Sequence, residues 1–492
     1  MNANRKSEQL YDGITEIRDD LITLADCEHT QKAVSPIRFF HKKWLISAAA
    51  CLAVFTAFSI TLFTGRQPDT VVSAHAIAEA EYPEMAPYPD PDQLKNEDQY
   101  NKAWDAWRED LSDRHKMTGY AAAMDGFLEK SVRHFLSASP GKNTAFSPIN
   151  MYLALGMLAE LTDGNSRAQI LKLLDSPDIR TVRNQISELW NANYLNDGAS
   201  TRILANSVWL NEDIRFVPST MQTLAQKYYA SSYRGKMGSE SFQKMFQDWL
   251  DTQTGGLLTK QIRQLSMLKD GDILTLASTI YFRGKWQYEF SPDNTKPRTF
   301  HADSGDLTCD FMHKDQIGAT YFRGTHFSAV SQSMGESGSM WLILPDEGTA
   351  VEQLLDDSQA MEFLLSADKW EWNDQKEMLV NLAVPKFDIT SQFDLTKELP
   401  ELGITDVFDP QISDFSPMTK DMDGIVLSGG EHAVRVAADE QGVTAAAYTV
   451  MAMSGGGMPM GDTVDFVLDR PFLFVITDAA GLPLFAGTVF QP

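Results

Sequence analysis

One segment near the C-terminus combines apolar character with an unusual lack of charge. From Gly442 to Met460 the chain has no charged residue, although charged residues make up 22% of the sequence. Alanine and glycine are frequent in this segment, and no proline interrupts it before Pro459. Such a segment can enter a β-sheet, but it has few large side chains with which to pack as a permanent strand. Because Gly442 gives the backbone freedom at the start, we predict a loop that can convert into a strand.

The side chains of this segment also alternate as an inserted strand requires, since neighbouring side chains of a strand point to opposite faces. One set is small or apolar throughout and comprises Val443, Ala445, Ala447, Thr449, Met451 and Met453. The other set comprises Thr444, Ala446, Tyr448, Val450 and Ala452. We therefore expect the first set to face a protein core and the bulky Tyr448 to point outward.

A series of short motifs resembles signatures of the serpin family. In chain order they are 143–148 (NTAFSP), 280–286 (IYFRGKW), 344–348 (LPDEG), 402–408 (LGITDVF), 440–447 (EQGVTAAA), 471–474 (PFLF) and 481–487 (GLPLFAG). They follow the family's order and spacing from about residue 118 to residue 492. Each motif is short, but their order and spacing together make the resemblance specific.

The resemblance implies an α+β fold with a large central β-sheet, two smaller sheets, about eight or nine helices and an exposed reactive-centre loop over about residues 440–463. The serpin domain would span 118–492. Helical patterns up to about residue 252 and strand-like runs from about residue 272, without βαβ alternation, also favour α+β. The loop hinge is implied at Glu440, Gln441, Gly442, Val443, Thr444, Ala445, Ala446, Ala447 and Thr449.

The position of the reactive bond depends on how the loop is counted. The family's usual loop length, counted from Gly442, places the bond near Gly456–Gly457, whereas counting back from Pro471 points nearer to Met460. The candidates for the residue before the cut are Gly456, Gly457 and Met458, with Met453 as a further alternative.

The loop composition also restricts the class of protease. No lysine or arginine lies between Arg435 and Arg470. Trypsin-like enzymes are therefore disfavoured, because their specificity pocket carries a carboxylate that needs a basic side chain. Elastase-, subtilisin- or chymotrypsin-like serine proteases fit a loop of small and apolar residues better.

The resemblance implies a further set of residues that influence opening of the main sheet, namely Ser147, Asn150, Ser278, Trp286 and His432. His432 falls on the family's histidine beneath the centre of that sheet, but the family's asparagine partner falls at Ser278, and Asn150 stands where serine is more usual. Two interpretations stay open for His432, a role in sheet opening and a satisfied buried histidine. Trp286 would lie where the loop enters the sheet, although a core tryptophan has the same appearance in sequence.

The function implied by the resemblance is suicide-substrate inhibition of a serine protease, with no enzyme activity of its own. The protease cleaves the loop, the loop inserts into the main sheet and the acyl-enzyme complex is trapped. Val443 replaces the more usual threonine or serine at the first inserted position and is compatible with insertion. The alternative is a non-inhibitory serpin that acts as a surface binding or chaperone-like module. Such members tend to carry prolines or charges in the hinge, and after Glu440 this hinge has neither.

The N-terminal region has the pattern of a membrane anchor. Residues 45–64 are uncharged and mostly apolar, about the length that a membrane-spanning helix needs. Lys42 and Lys43 precede them, so the positive-inside rule places the N-terminus in the cytoplasm. We predict a cytoplasmic tail over 1–43, a transmembrane signal anchor over 44–65 and an extracellular serpin domain, as a single-pass membrane protein. The alternative is secretion after cleavage.

Residues 66–117 contain several prolines and acidic residues, and this composition predicts an extended, solvated stalk with a short helix. Trp104 and Trp107 are three residues apart on that helix, a spacing that predicts docking against the domain.

Composition and motifs exclude several other functions. The net charge of −25 argues against nucleic acid as a partner. The sequence has no G-x-S-x-G elbow, no H-E-x-x-H and no P-loop, so catalysis is unsupported. No cofactor or metal site is expected, and Cys27, Cys51 and Cys309 do not suggest a disulfide framework. We expect a monomer.

Overall fold

A computed structural model of the protein describes most of the chain after residue 75. The described residues are 76–89, 94, 96–115, 124–198, 200–264, 268–367, 374–443 and 462–492. Within these ranges no helix combines the length and the apolar character that crossing a bilayer requires. The predicted tail and anchor, residues 1–43 and 44–65, lie outside the described residues.

The described ranges contain eleven α-helices. In chain order these are α1 Glu97–His115, α2 Asp125–Ser137, α3 Pro148–Leu161, α4 Gly164–Leu173, α5 Ile179–Asn193, α6 Pro218–Lys227, α7 Glu240–Gln253, α8 Thr259–Gln264, α9 Val351–Asp356, α10 Ser358–Ser366 and α11 Leu395–Glu401. Short 3-10 helices lie at Pro292–Asn294, Gly335–Ser337 and Asp406–Phe408.

The strands are β1 Ala76–Ala78, β2 Thr144–Phe146, β3 Leu195–Asn196, β4 Thr201–Asn211, β5 Ala230–Gly235, β6 Leu274–Lys285, β7 Lys296–Ala302, β8 Gly305–Arg323, β9 Phe327–Ser333, β10 Ser339–Pro345, β11 Gln375–Pro385, β12 Phe387–Asp394, β13 Glu431–Ala438, β14 Gly442–Val443, β15 Thr463–Val467, β16 Phe472–Thr477 and β17 Pro483–Val489.

These strands form two hydrogen-bonded sheets. The main sheet has the order β1-β5-β4-β6-β14-β13-β12, with β3 paired to β4. The second sheet has the order β15-β11-β8-β9-β10-β16-β17-β2, with β7 paired to β8. Strand β8 is 19 residues long and pairs with β7, with β11 and with β9. The resemblance implies two smaller sheets, and β8 joins their strands into one sheet. The predicted α+β fold is confirmed, with two more helices in the described ranges than the upper expected number.

Helix α3 lies at the centre of the core on one face of the main sheet. Its sequence is apolar on all sides, and 13 of its 14 residues are buried, as expected for a helix surrounded by protein. Ser147 caps its N-terminus by accepting a hydrogen bond from the Asn150 amide, and Pro148 occupies the first turn, where its missing N–H costs nothing. A Cβ at Gly156 would lie 2.0 Å from Ile186 Cδ1, so glycine allows α5 to approach closely.

Helix α7 covers the opposite face of the main sheet. Leu204 and Val208 of β4 belong to the large core with α3, whereas Trp209, one residue on, packs in a second cluster with Phe242 and Phe246 of α7. Because side chains alternate along a strand, these two clusters lie on opposite faces of the sheet. The main sheet is therefore enclosed between α3 and α7.

Much of the segment predicted as a solvated stalk packs on the domain instead. Strand β1 pairs with β5 and forms the edge of the main sheet. The ring of Tyr82 lies 5.1 Å from that of Trp190 and 5.5 Å from that of Tyr194. Docking of the tryptophan pair occurs as predicted, since Trp107 is 5% exposed. The prolines allow an extended path, but the aromatic side chains along it gain more from burial than from solvent.

Candidate functional site: the loop hinge and the two strands that flank it

The first residues of the predicted loop are part of the main sheet. Gly442 and Val443 form β14, which lies between β6 and β13 and pairs antiparallel with both. Val443 pairs with Gly284 on one side and Ala438 on the other, and it is 1% exposed. A Cβ at Gly442 would lie 2.2 Å from the Gly284 carbonyl oxygen, so only glycine fits this close approach. Gly442 and Val443, the start of the predicted loop, are therefore strand residues of the main sheet.

The turn that leads into β14 is held by the side chain of Asp439. Its Oδ1 accepts hydrogen bonds from the backbone amides of Gln441 at 2.9 Å and Gly442 at 3.3 Å. The Asp439 amide in turn donates to the Gly442 carbonyl. An aspartate that binds the backbone two residues on is a common means of closing a tight turn.

Glu440 is anchored beside this turn by two side chains. Lys386 Nζ lies 2.8 Å from Glu440 Oε2, and the Thr295 hydroxyl donates to Oε1 at 2.9 Å. Burial raises the pKa of Glu440, but the hydrogen bonds from Lys386 and Thr295 outweigh burial and hold its pKa below the ordinary value. Glu440 is thus kept as a carboxylate in the turn between β13 and β14.

Trp286 lies directly beside the hinge. It is 5% exposed, and its indole nitrogen donates to the Asp439 carbonyl at 2.8 Å. Its backbone amide donates to the Gln441 carbonyl at 3.0 Å. Trp286 therefore contacts the turn that leads into β14 through both its side chain and its backbone.

His432 lies deeper, on β13, and is 4% exposed. Its Nε2 accepts a hydrogen bond from the Ser147 amide at 3.3 Å, and its ring packs near Phe146 and Phe393. Burial lowers the pKa of His432 to about 3, so the imidazole is neutral at physiological pH. Because Nε2 is an acceptor, the proton of the neutral ring lies on Nδ1. His432 connects β13 to the N-terminus of α3.

Ser278 and Asn150 form a separate connection on the other side of β14. The Ser278 hydroxyl donates to the Asn150 side-chain oxygen and thereby links β6 to α3. The family pattern has asparagine at position 278 and more often serine at position 150, whereas this chain has serine at 278 and asparagine at 150. The two side chains are nevertheless in contact. The strands that flank β14 thus each have their own polar link to the same end of α3, β13 through Ser147 and β6 through Asn150.

The remaining predicted loop residues lie outside the described residues. They comprise the hinge residues Thr444, Ala445, Ala446, Ala447 and Thr449 and the reactive-bond candidates Gly456, Gly457 and Met458. Sequence reasoning missed Lys386, Thr295 and Asp439, which hold the hinge. Lys386 precedes Glu440 by 54 residues, and no local pattern relates the two.

One group of side chains in the described ranges has the composition of a metal site. Ligand atoms of His134, Glu398 and Glu401 lie within 4.8 Å of one another. His134 Nε2 already lies 2.7 Å from the Glu398 carboxylate, which links α2 to α11. These residues contact none of the hinge residues described above, so they have no part in the site.

Comparison with known proteins agrees with this architecture. Residues 123–492 match the family model described as serpin (serine protease inhibitor). The chain is 27% identical over 383 residues to alpha-1-antitrypsin 1-5 of Mus musculus, which covers 76% of this chain and 89% of that protein. It is 26% identical over 406 residues to plasminogen activator inhibitor 1 of Sus scrofa, covering 77% and 94%.

Solved structures agree on the fold. The thermophilic serpin tengpin in the native state has a TM-score of 0.65 at 23% identity, covering 76% of this chain and 95% of that one. Thyroxine-binding globulin in complex with thyroxine has a TM-score of 0.62 at 20% identity, covering 75% and 98%. Since the family model matches residues 123–492, which make up most of the sequence, the chain belongs to the serpin family.

Proposed function

We propose that this serpin is a suicide-substrate inhibitor of serine proteases and has no catalytic activity of its own. The protease serine attacks one peptide bond of the reactive-centre loop, an ester to the protease forms, and the amine of the C-terminal fragment leaves. The cleaved loop then continues β14 as a new strand between β6 and β13, a form of β-strand addition. The attached protease is carried along and distorted before water hydrolyses the ester.

The observation that supports this proposal is the pairing of β14 within the main sheet. Gly442 pairs with β6, and Val443 pairs with both β6 and β13 and is buried there, so the main sheet accepts the beginning of the loop. The residues that follow, 444–460, are uncharged. Burial of further small side chains therefore carries no cost of desolvating a charge.

We further propose proteases of the elastase, subtilisin or chymotrypsin type as targets. The loop between Arg435 and Arg470 offers no basic residue to the carboxylate of a trypsin-like pocket. The candidates for the residue before the cut, Gly456, Gly457 and Met458, are small or apolar.

The test is complex formation on a denaturing gel. Purified full-length protein is mixed with an elastase-like protease, and the released C-terminal peptide is identified by mass spectrometry. We expect a band at the summed mass and a peptide that begins just after one of the candidate residues. Trypsin should remain active, and stoichiometric trypsin inhibition mapped to this loop would contradict the proposed target class.

The second candidate function is a non-inhibitory serpin that acts as a surface binding or chaperone-like module. The similarity in fold to thyroxine-binding globulin in complex with thyroxine supports this candidate. Heating distinguishes the two functions. A loop that inserts after being cut should raise the unfolding temperature markedly, whereas cleavage without complex formation or stabilisation would favour the binding module.

We also propose that residues 45–64 anchor the protein in a membrane with the N-terminus in the cytoplasm and the serpin domain outside. The apolar run and the preceding lysines, Lys42 and Lys43, support this orientation. Protease protection of the N-terminal tail in sealed cells tests it. Recovery of a shortened, freely secreted chain would favour the alternative, secretion after cleavage.

A further inference from the structure

Arg435 makes an unusual set of contacts on the α7 face of the main sheet. It lies on β13, and its Nε and Nη2 donate to the two oxygens of Asp388 on β12 at 2.8 and 2.6 Å. Its remaining nitrogen, Nη1, donates to the backbone carbonyl of Leu257 at 3.0 Å. Leu257 belongs to the turn that follows α7. Asp388 therefore fixes the guanidinium in a bidentate pair while the third donor holds the turn.

The same turn also rests on the strand at the other side of β14. Gly255 has a positive φ of 58°, and a Cβ at this position would lie 2.7 Å from the Tyr281 ring. Tyr281 belongs to β6. The turn after α7 thus contacts β6 through Gly255 and β13 through the carbonyl of Leu257, and it crosses above the line along which β14 would be extended.

The register of the strands shows at which residues of β6 and β13 the turn crosses the sheet. Val443 pairs with Ala438 on β13 and with Gly284 on β6. Arg435 precedes Ala438 by three residues, and Tyr281 precedes Gly284 by three residues. Both contacts of the turn therefore lie at the same level of the sheet, three residue positions beyond Val443 along the direction in which β14 would extend.

The side chains of β6 that point towards α3 are less buried than those of the neighbouring β4. The side chains of Leu276, Ser278 and Ile280, which point towards α3, are half-buried, whereas Leu204 and Val208 of the neighbouring β4 are fully buried. A strand that inserts beside β6 must pass beneath the turn that Arg435 holds.

We propose that Arg435 fastens the turn after α7 across the insertion path and thereby slows insertion of the cleaved loop. Arg435 is a positioning residue, since it acts on the strand through the turn and contacts no reacting atom. Movement of β13 away from β6 separates Arg435 from Leu257, so the hydrogen bond to the carbonyl must lengthen or break while the strand enters. This inference rests on the proposed function for its biological role, but it concerns insertion itself.

The test measures insertion after the loop has been cut. Full-length protein is nicked with excess subtilisin, and insertion is followed by the change in tryptophan fluorescence, with Trp286 at the entrance of the path as the expected reporter. With enough protease, the insertion phase no longer depends on protease concentration. We expect Arg435→Ala to insert about three- to tenfold faster than the unsubstituted protein, because a hydrogen bond from a charged donor is lost. Arg435→Lys, which keeps one donor, should lie between the two.

Arg323→Ala is the matched control. Arg323 also forms a bidentate pair with an aspartate, Asp346, at 2.6 Å for both bonds, but it lies on β8 in the second sheet. Its removal should leave the insertion rate unchanged. Equal or slower insertion in Arg435→Ala would overturn the proposed role of Arg435.

The outcomes also separate this inference from the proposed function. Loop insertion without any covalent complex would contradict inhibition and leave the role of Arg435 standing if Arg435→Ala is faster. If the unsubstituted protein shows no insertion after nicking, both proposals are wrong.

Discussion

A single residue without a side chain determines whether the hinge can enter the sheet. At Gly442 the limit is the carbonyl oxygen of Gly284, which leaves no room for a Cβ. Neighbouring Val443 has a side chain that the core accepts, since it is 1% exposed. The sequence pattern alone suggests that Gly442 is a flexible hinge, whereas the structure adds a requirement for close backbone approach.

We predict that Gly442→Ala impairs inhibition. The added methyl group collides with backbone atoms of β6, which cannot move as a side chain would, at a cost of about 1–3 kcal/mol to β14. The hinge should leave the sheet, insertion should start later, and more molecules should be cleaved as ordinary substrate. The measurement is the number of inhibitor molecules consumed per protease molecule inhibited, which should rise severalfold.

Gly429→Ala is the control for this prediction, because a Cβ at Gly429 meets no atom within 4 Å. It should behave like the unsubstituted protein. An unchanged stoichiometry for Gly442→Ala would show that pairing of β14 does not influence insertion.

At the scale of elements, β6 and β13 are held to α3 by two independent polar links. His432 accepts from the Ser147 amide for β13, and Ser278 donates to Asn150 for β6. Because the links are separate, the two strands can move apart without losing both contacts at once. Under the proposed function, this arrangement suits opening of the sheet between these strands.

The His432 link makes stability depend on pH. The folded pKa is lowered by burial to about 3, below the ordinary value of 6.5, so the unfolded chain binds the proton first as pH falls. The stability contributed by the neutral ring is present above pH 6.5 and is lost as pH falls from 6.5 towards 3. We predict that His432→Gln removes this part of the pH dependence, up to about 1.4 kcal/mol per pH unit.

Chemical denaturation at a series of pH values measures this difference. His301→Gln is the control, since His301 is exposed and its side-chain hydrogen bond with Asp306 raises its pKa, the opposite direction. If the pH profile of His432→Gln parallels that of the unsubstituted protein between pH 6.5 and 3, then His432 is not buried as a neutral group.

At the scale of the whole molecule, the N-terminal segment extends the domain beyond the part that matches the family model. That match begins at residue 123, whereas β1 and α1 lie before it. β1 covers the edge of the main sheet, and the Trp107 indole donates to Asp197 at 3.0 Å. An edge strand left unpaired is a site for association with other chains, so this segment also protects the sheet.

We predict that Trp107→Ala releases the segment from the domain. Truncation of a buried tryptophan costs about 3 kcal/mol or more, and Asp197 loses a hydrogen-bond donor. Limited proteolysis and amide hydrogen exchange should show faster cleavage and exchange over residues 76–115. Lys102→Ala on the same helix is the control, because the Lys102 side chain is 80% exposed. Equal protection in Trp107→Ala would mean that other contacts hold the segment.

Much of the fold and part of the site could be predicted from sequence. The α+β class and the strand residues Gly442 and Val443 depend on local patterns of side-chain size, charge and alternation, and insertion of the uncharged segment after them stays a prediction. The same patterns led to the docking of Trp107, although the composition around it predicted a solvated stalk.

Only the tertiary structure decided which distant groups meet. Lys386 and Glu440 are 54 residues apart, Ser278 and Asn150 are 128 apart, and Arg435 and Leu257 are 178 apart. Such contacts depend on strand order, register and the position of a turn above the sheet. The sequence therefore determined that an uncharged segment of mostly small residues follows Gly442, from which insertion is predicted, while the packing of distant elements around β14 decided which side chains hold the turn before it and where the turn after α7 crosses the sheet.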